Sequence, residues 1–126
     1  MRWLPFGRKP APPRRSEAFV QREFGEAIAF AAGEYRGFDR YFTHVDPAWH
    51  EKYSLRTRLN MFMGGPIFAE LEARFPEIAR VGADADATQG VTGHASVIME
   101  LIVAEAVIAC GEDSREEVNA ARSAEP

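Results

Sequence analysis

Apolar side chains recur at helical spacing along most of the chain. From Glu17 to about Thr43, Phe24, Ile28, Ala31, Tyr35, Phe38 and Phe42 follow one another at steps of four and three. That spacing lays them on one stripe of an α-helix, with Ser16 as its expected N-cap. Phe30 lies off the stripe and gives the helix a second face to bury. Asp46 and Pro47 read as an N-cap followed by proline at the first helical position. They open a helix to about Met63, with Leu55, Leu59, Phe62 and Met63 on its apolar face and Trp49 and Tyr53 near its start. Gly64, Gly65 and Pro66 end it and open a short helix carrying Ile67, Phe68, Leu71 and Phe75. Pro76 stops that helix or restarts it through Ile78. Residues 82–93 read as a loop.

The most apolar run, Val91 to Cys110, is twenty residues and carries only two charges, Glu100 and Glu105. Its length is that of a membrane span, about 20 residues. Two glutamates near mid-bilayer, at about 2.5–3.5 kcal/mol each, argue against one. In a soluble helix the two carboxylates lie about 140° apart around the axis. No wide polar face is left, so the helix belongs at the centre of a bundle or at an interface with a second copy. One glutamate is then buried and needs a cation. Arg56, on the line of Trp49, Tyr53 and Met63, is the leading candidate to meet Glu105, with Arg36 and Arg40 behind it. Gly111 ends the helix. Beyond it, Ser114 and Glu117 form a capping box that starts a last short helix or a mobile charged tail.

The pattern predicts an all-α fold: a small helical bundle of three main helices plus one or two short ones. Residues 1–15 form an N-terminal arm, 16–111 the helical domain and 112–126 the charged tail. A chain of 126 residues with 46% hydrophobic and 27% charged residues fits a single domain. Arginine outnumbers lysine thirteen to two, the bias of a GC-rich bacterial genome. A single cysteine excludes an intrachain disulfide and suits the cytoplasm. Cys110 itself, with Glu105 and Glu112 nearby, reads as an inert core thiol.

Charge is unevenly spread. Residues 1–15 hold five of the fifteen basic residues and no acid, which leaves ten basic against nineteen acidic residues in the body. An acidic body disfavours nucleic acid. In the arm, Arg2, Arg8 and Lys9 interleave with Trp3, Leu4 and Phe6, and four prolines predict an extended or disordered segment without a secretory signal. Such an arm suits an anionic membrane surface, an acidic partner protein, or its own acidic body.

Polar constellations are sparse. Asp46 and His50 are four apart, His44 just precedes them, and His94 is the remaining histidine. Histidines with a carboxylate can hold a transition metal, although this spacing matches no established helical ligand motif. Residues 84–90 fail the calcium-loop pattern, because Gln89 and Ala95 stand where glycine and glutamate are required. No catalytic set and no cofactor motif is visible. Three function classes follow, the third of them a membrane-surface protein held through the arm. The first is a non-enzymatic interaction module, an adaptor, regulator or assembly factor. It would bind a protein partner or a second copy through helix 91–110 and dock through the arm, if need be at the inner face of a membrane. The second is a small-molecule or metal-binding helical protein, with an enzyme among its forms, using His44, Asp46, His50, His94 and a buried glutamate.

Overall fold

In the computed structural model, described over residues 13–84 and 95–123, every regular element is an α-helix. The stretch 17–43, one helix by its periodicity, is two: α1 (Arg15–Glu23) and α2 (Gly25–Val45). The joint is Phe24, at φ −129° and ψ 37°. Its ring turns edge-on to Phe19 with centroids 6.2 Å apart, and Phe19, Val20 and Phe24 enter the core together. A one-residue break leaves the later spacing intact, so the pattern does not reveal it. The N-terminal end of α1 also differs from expectation. Arg14 is the N-cap, and its amide donates to Glu17 Oε1 at 2.6 Å, while Ser16 lies inside the first turn.

The second expected helix is likewise two, α3 (Trp49–Lys52) and α4 (Leu55–Met63). Asp46 does not cap it. It ends α2, and its Oδ1 accepts the Ala48 amide at 3.0 Å while Oδ2 accepts from Lys52 Nζ at 2.7 Å. Ser54 is the N-cap of α4, accepting the Thr57 amide. The physical reason is Trp49. Its indole stacks on Phe42, with centroids 4.5 Å apart and planes 20° apart, inside a cluster that joins Tyr35, Phe38 and Phe62. Each such pair contributes about 0.5–1.5 kcal/mol beyond area burial. Seating the indole on α2 requires a tight turn before α4 can start.

Next come α5 (Ile67–Arg74) and α6 (Glu77–Asp84). Phe30, the residue off the α2 stripe, meets Phe75 at 6.0 Å and carries the Arg74 guanidinium over its ring at 4.6 Å. The apolar run supplies α7 (Ala95–Ala109), which lies along α2 and also packs on α1, α6 and α8. From Ile98 to Val107 every residue except Glu100 is buried. Helices of the same chain therefore cover α7 on nearly all sides, and its apolar girth is explained by central position. Among the described residues no helix is long and apolar enough to cross a membrane.

Gly111 turns the chain out of α7 at φ 83°, a left-handed conformation that glycine adopts without steric cost. The expected capping box forms: Ser114 and Glu117 bond each other's backbone amides. It opens α8 (Arg115–Ser123), which is packed rather than free, with Val118 fully buried. Arg115, Val118, Asn119 and Arg122 share one face of α8. This helix answers the question of the two glutamates. Glu105, 4% exposed, accepts from both terminal nitrogens of Arg115 and from Gln21 Nε2 at 2.7 Å. Glu100 accepts from Arg122 Nη1 at 3.0 Å. Arg56, the expected partner of Glu105, does not meet it. Arg56 sits on α4, whereas Gly111 folds α8 back along α7 and presents its arginines in reverse order to the two carboxylates.

Candidate functional site

Buried Trp49 also orients the residues around it. Its indole nitrogen donates to Asp39 Oδ1 at 3.0 Å, which fixes the carboxylate on the flank of α2. The next residue, His50, then projects outward and places Nε2 2.7 Å from the same oxygen. The turn at Gly111 brings Glu112 to this point from the far end of α7. One ligand atom each from Asp39, His50 and Glu112 lies within 4.8 Å of the others. Ligands around a tetrahedral cation with bonds of about 2.1 Å stand about 3.4 Å apart, so a small side-chain adjustment closes the set.

The trio borders an open pocket of about 670 Å³ between α2, α3 and the α7–α8 turn. Arg36 and Arg40 add positive charge to one wall, and Tyr35 and Cys110 close the inner end. Burial raises the Tyr35 hydroxyl to about 12; Arg58 opposes the shift, while Asp39 and Asp113 add to it. Burial also raises the Cys110 thiol, with Glu112, Asp39 and Asp113 reinforcing it against Arg36. The thiol donates to the Ala32 carbonyl at 3.6 Å. Both groups are therefore protonated at neutral pH and act as pocket wall, not as nucleophiles. Asp113, beside the trio, is pushed up by burial against the pull of Arg58.

The residues expected from sequence scatter. His50 is in the cluster, and His44 lines the same pocket. Asp46 faces Lys52 on the other side of the turn and takes no part. His94 lies outside the described residues, as do Arg2, Trp3, Phe6, Arg8 and Lys9 of the arm. Asp39 and Glu112 are absent from the sequence-based set. They stand 11 residues before and 62 residues after His50, separations at which two side chains of one helix do not touch.

A second polar cluster lies between α1, α7 and α8. Glu17, 1% exposed, bonds the Arg14 amide and side chain and Asn119 Nδ2, and stands 3.4 Å from Arg115. Every carboxylate there is matched by donors, which marks it as a tie between helices. The chain matches no protein-family model, no curated protein and no solved structure.

Proposed function

We propose that this chain is a small helical bundle that binds a divalent first-row cation at Asp39, His50 and Glu112. The observation that carries the reading is the Asp39–His50 contact of 2.7 Å, with Glu112 converging from a segment distant in sequence. One imidazole and two carboxylates suit Mn²⁺ to Zn²⁺ better than Ca²⁺ or Mg²⁺, which prefer oxygen-only shells. The Trp49 bond to Asp39 supports the reading, because ligating carboxylates are themselves held by outer hydrogen bonds. The adjoining pocket leaves room for water or a small ligand to complete the coordination.

The test is a calorimetric titration of the purified chain, stripped by chelator, with Zn²⁺ and Mn²⁺. One saturable site is expected, weakened by His50→Ala and by Asp39→Asn and unchanged by Asp46→Asn. Undiminished binding in His50→Ala would end the proposal.

A second reading, an interaction module, is supported by a different observation. Tyr41 and Val45, four residues apart on one side of α2, are 62% and 61% exposed. Exposed apolar residues gathered on one face suit a protein contact. Affinity capture with Tyr41→Glu as the control tests it, and equal capture by both forms would count against it.

A further inference from the structure

On α2 the residues Arg36, Arg40 and His44 follow at steps of four. They form one column along the helix, with about 6 Å of rise per step. All three are exposed, and all three line the pocket of about 670 Å³ that the candidate cation centre borders. Asp39 and Glu112 line the same pocket, but Asp39 is turned to the Trp49 indole and to His50. Among the described residues neither Arg36 nor Arg40 forms an ion pair. The pocket thus has a carboxylate-and-imidazole side and an arginine side that do not neutralise one another.

Charge decides what such a pocket holds. Metal-ligating imidazole is neutral, so two carboxylates and His50 around a divalent cation leave that side without net charge. The two guanidinium groups keep their protons and remain as two positive charges on the adjoining wall. A ligand carrying two negative charges cancels them. Each guanidinium presents a planar fork that matches a carboxylate or a phosphate with two parallel hydrogen bonds. Three protein ligands also leave a position on a four-coordinate cation open to an oxygen of the same molecule. The pocket volume lies within the range of small-molecule sites, about 300–1,000 Å³, and leaves room for a carbon skeleton between the charged groups. We infer that the pocket takes a small organic dianion, a dicarboxylate or a phosphate ester, whose oxyanion oxygens are shared between the cation and the Arg36–Arg40 pair. This inference rests on the cation site proposed above and adds the class of ligand that the site takes. His44, at the end of the column, offers a further polar contact.

Calorimetric titration of the full chain saturated with Mn²⁺ tests it, with succinate, glycerol 3-phosphate and acetate as probes and Mn²⁺ in buffer as the blank. One of the two dianions is expected to bind at a single site more tightly than acetate, and which one binds separates a dicarboxylate from a phosphate ester. Binding should weaken about tenfold or more in the double variant Arg36→Gln, Arg40→Gln, the factor that a hydrogen bond between charged groups supplies. Both side chains are exposed, so the fold is kept. Mn²⁺ should bind the double variant at least as tightly as the native chain, because removing nearby positive charge favours a cation. Four results overturn the inference while the Mn²⁺ titration still saturates, and these leave the cation reading standing. They are no binding of either dianion, acetate bound as tightly as both, dianion binding undiminished in the double variant, and dianion binding equal in the chain stripped by chelator. A chain that takes up no Mn²⁺ ends both proposals.

Discussion

Arg115 forks onto Glu105 across the α7–α8 turn, with Nη2 3.0 Å from Oε1, and the salt bridge is almost completely buried. The bond to Glu105, opposed by burial, raises the Arg115 guanidinium above its ordinary value. Gln21 bonds Glu105 and Asn119 bonds Glu17, so three helices converge on one acid–base cluster. A buried pair adds little compared with apolar packing, but losing one member is expensive because the other remains charged.

Arg115→Ala should therefore destabilise the fold by about 3–5 kcal/mol. Arg56→Ala should change stability by no more than about 0.5 kcal/mol. Urea unfolding of the two variants checks this, and similar midpoints would show that the α8 pairing is unimportant.

Acid should loosen the same cluster. Burial tends to raise the Glu17 carboxyl, but the Arg14 amide, the Arg14 side chain and Asn119 together hold it below its usual value. A depressed acid contributes stability that is complete above its unfolded value and drains as pH falls through the folded one. Glu17→Gln should lose more stability relative to the native chain at pH 7 than at pH 3. Thermal melts at the two pH values measure the difference.

Asp113 has the opposite sign. Burial lifts its carboxyl, so the charged form is disfavoured in the folded state and weakens it as pH rises. Asp113→Asn should raise the melting temperature at pH 7, and the gain should vanish in acid, where both side chains are neutral. A loss at pH 7 would show that the carboxylate is held by favourable contacts.

Gly111 connects the core to the candidate centre. A Cβ at φ 83° costs about 1–2 kcal/mol. Nothing lies within 4 Å of the added atom, so the penalty is conformational. Gly111→Ala should lower stability by that amount and also weaken cation binding, because Glu112 follows directly. Denaturant melts and metal titration of the same preparation test both effects.

Trp49→Phe separates orientation from ligation. Removing the indole donor frees Asp39, and losing such an outer bond typically costs 10–100-fold in metal affinity. Affinity equal to that of the native chain would mean that Asp39 holds its position without help.

Local periodicity made the helical class legible, and Gly111 with the Ser114–Glu117 box marked the α7–α8 boundary. It did not show the breaks at Phe24 and before Ser54, because a short interruption preserves the apolar spacing on either side. The tail read as either a short helix or a mobile charged segment and was given no part in the core, although Arg115, Val118, Asn119 and Arg122 already had helical spacing and the two glutamates of α7 lacked cations. His50 stood out by residue type alone. Asp39 did not, since it meets His50 only after α3 folds back onto α2.

Composition and apolar spacing alone determined that this chain is helical, that its most apolar segment is hidden, and that a carboxylate inside needs a cation. These are properties of neighbours on one helix, where geometry repeats every few residues. Which arginine meets which glutamate, and which carboxylates converge on His50, was decided by the tertiary structure. Those pairs form where separate helices cross, and the crossing depends on how Trp49, Phe42 and the α7 side chains pack in three dimensions.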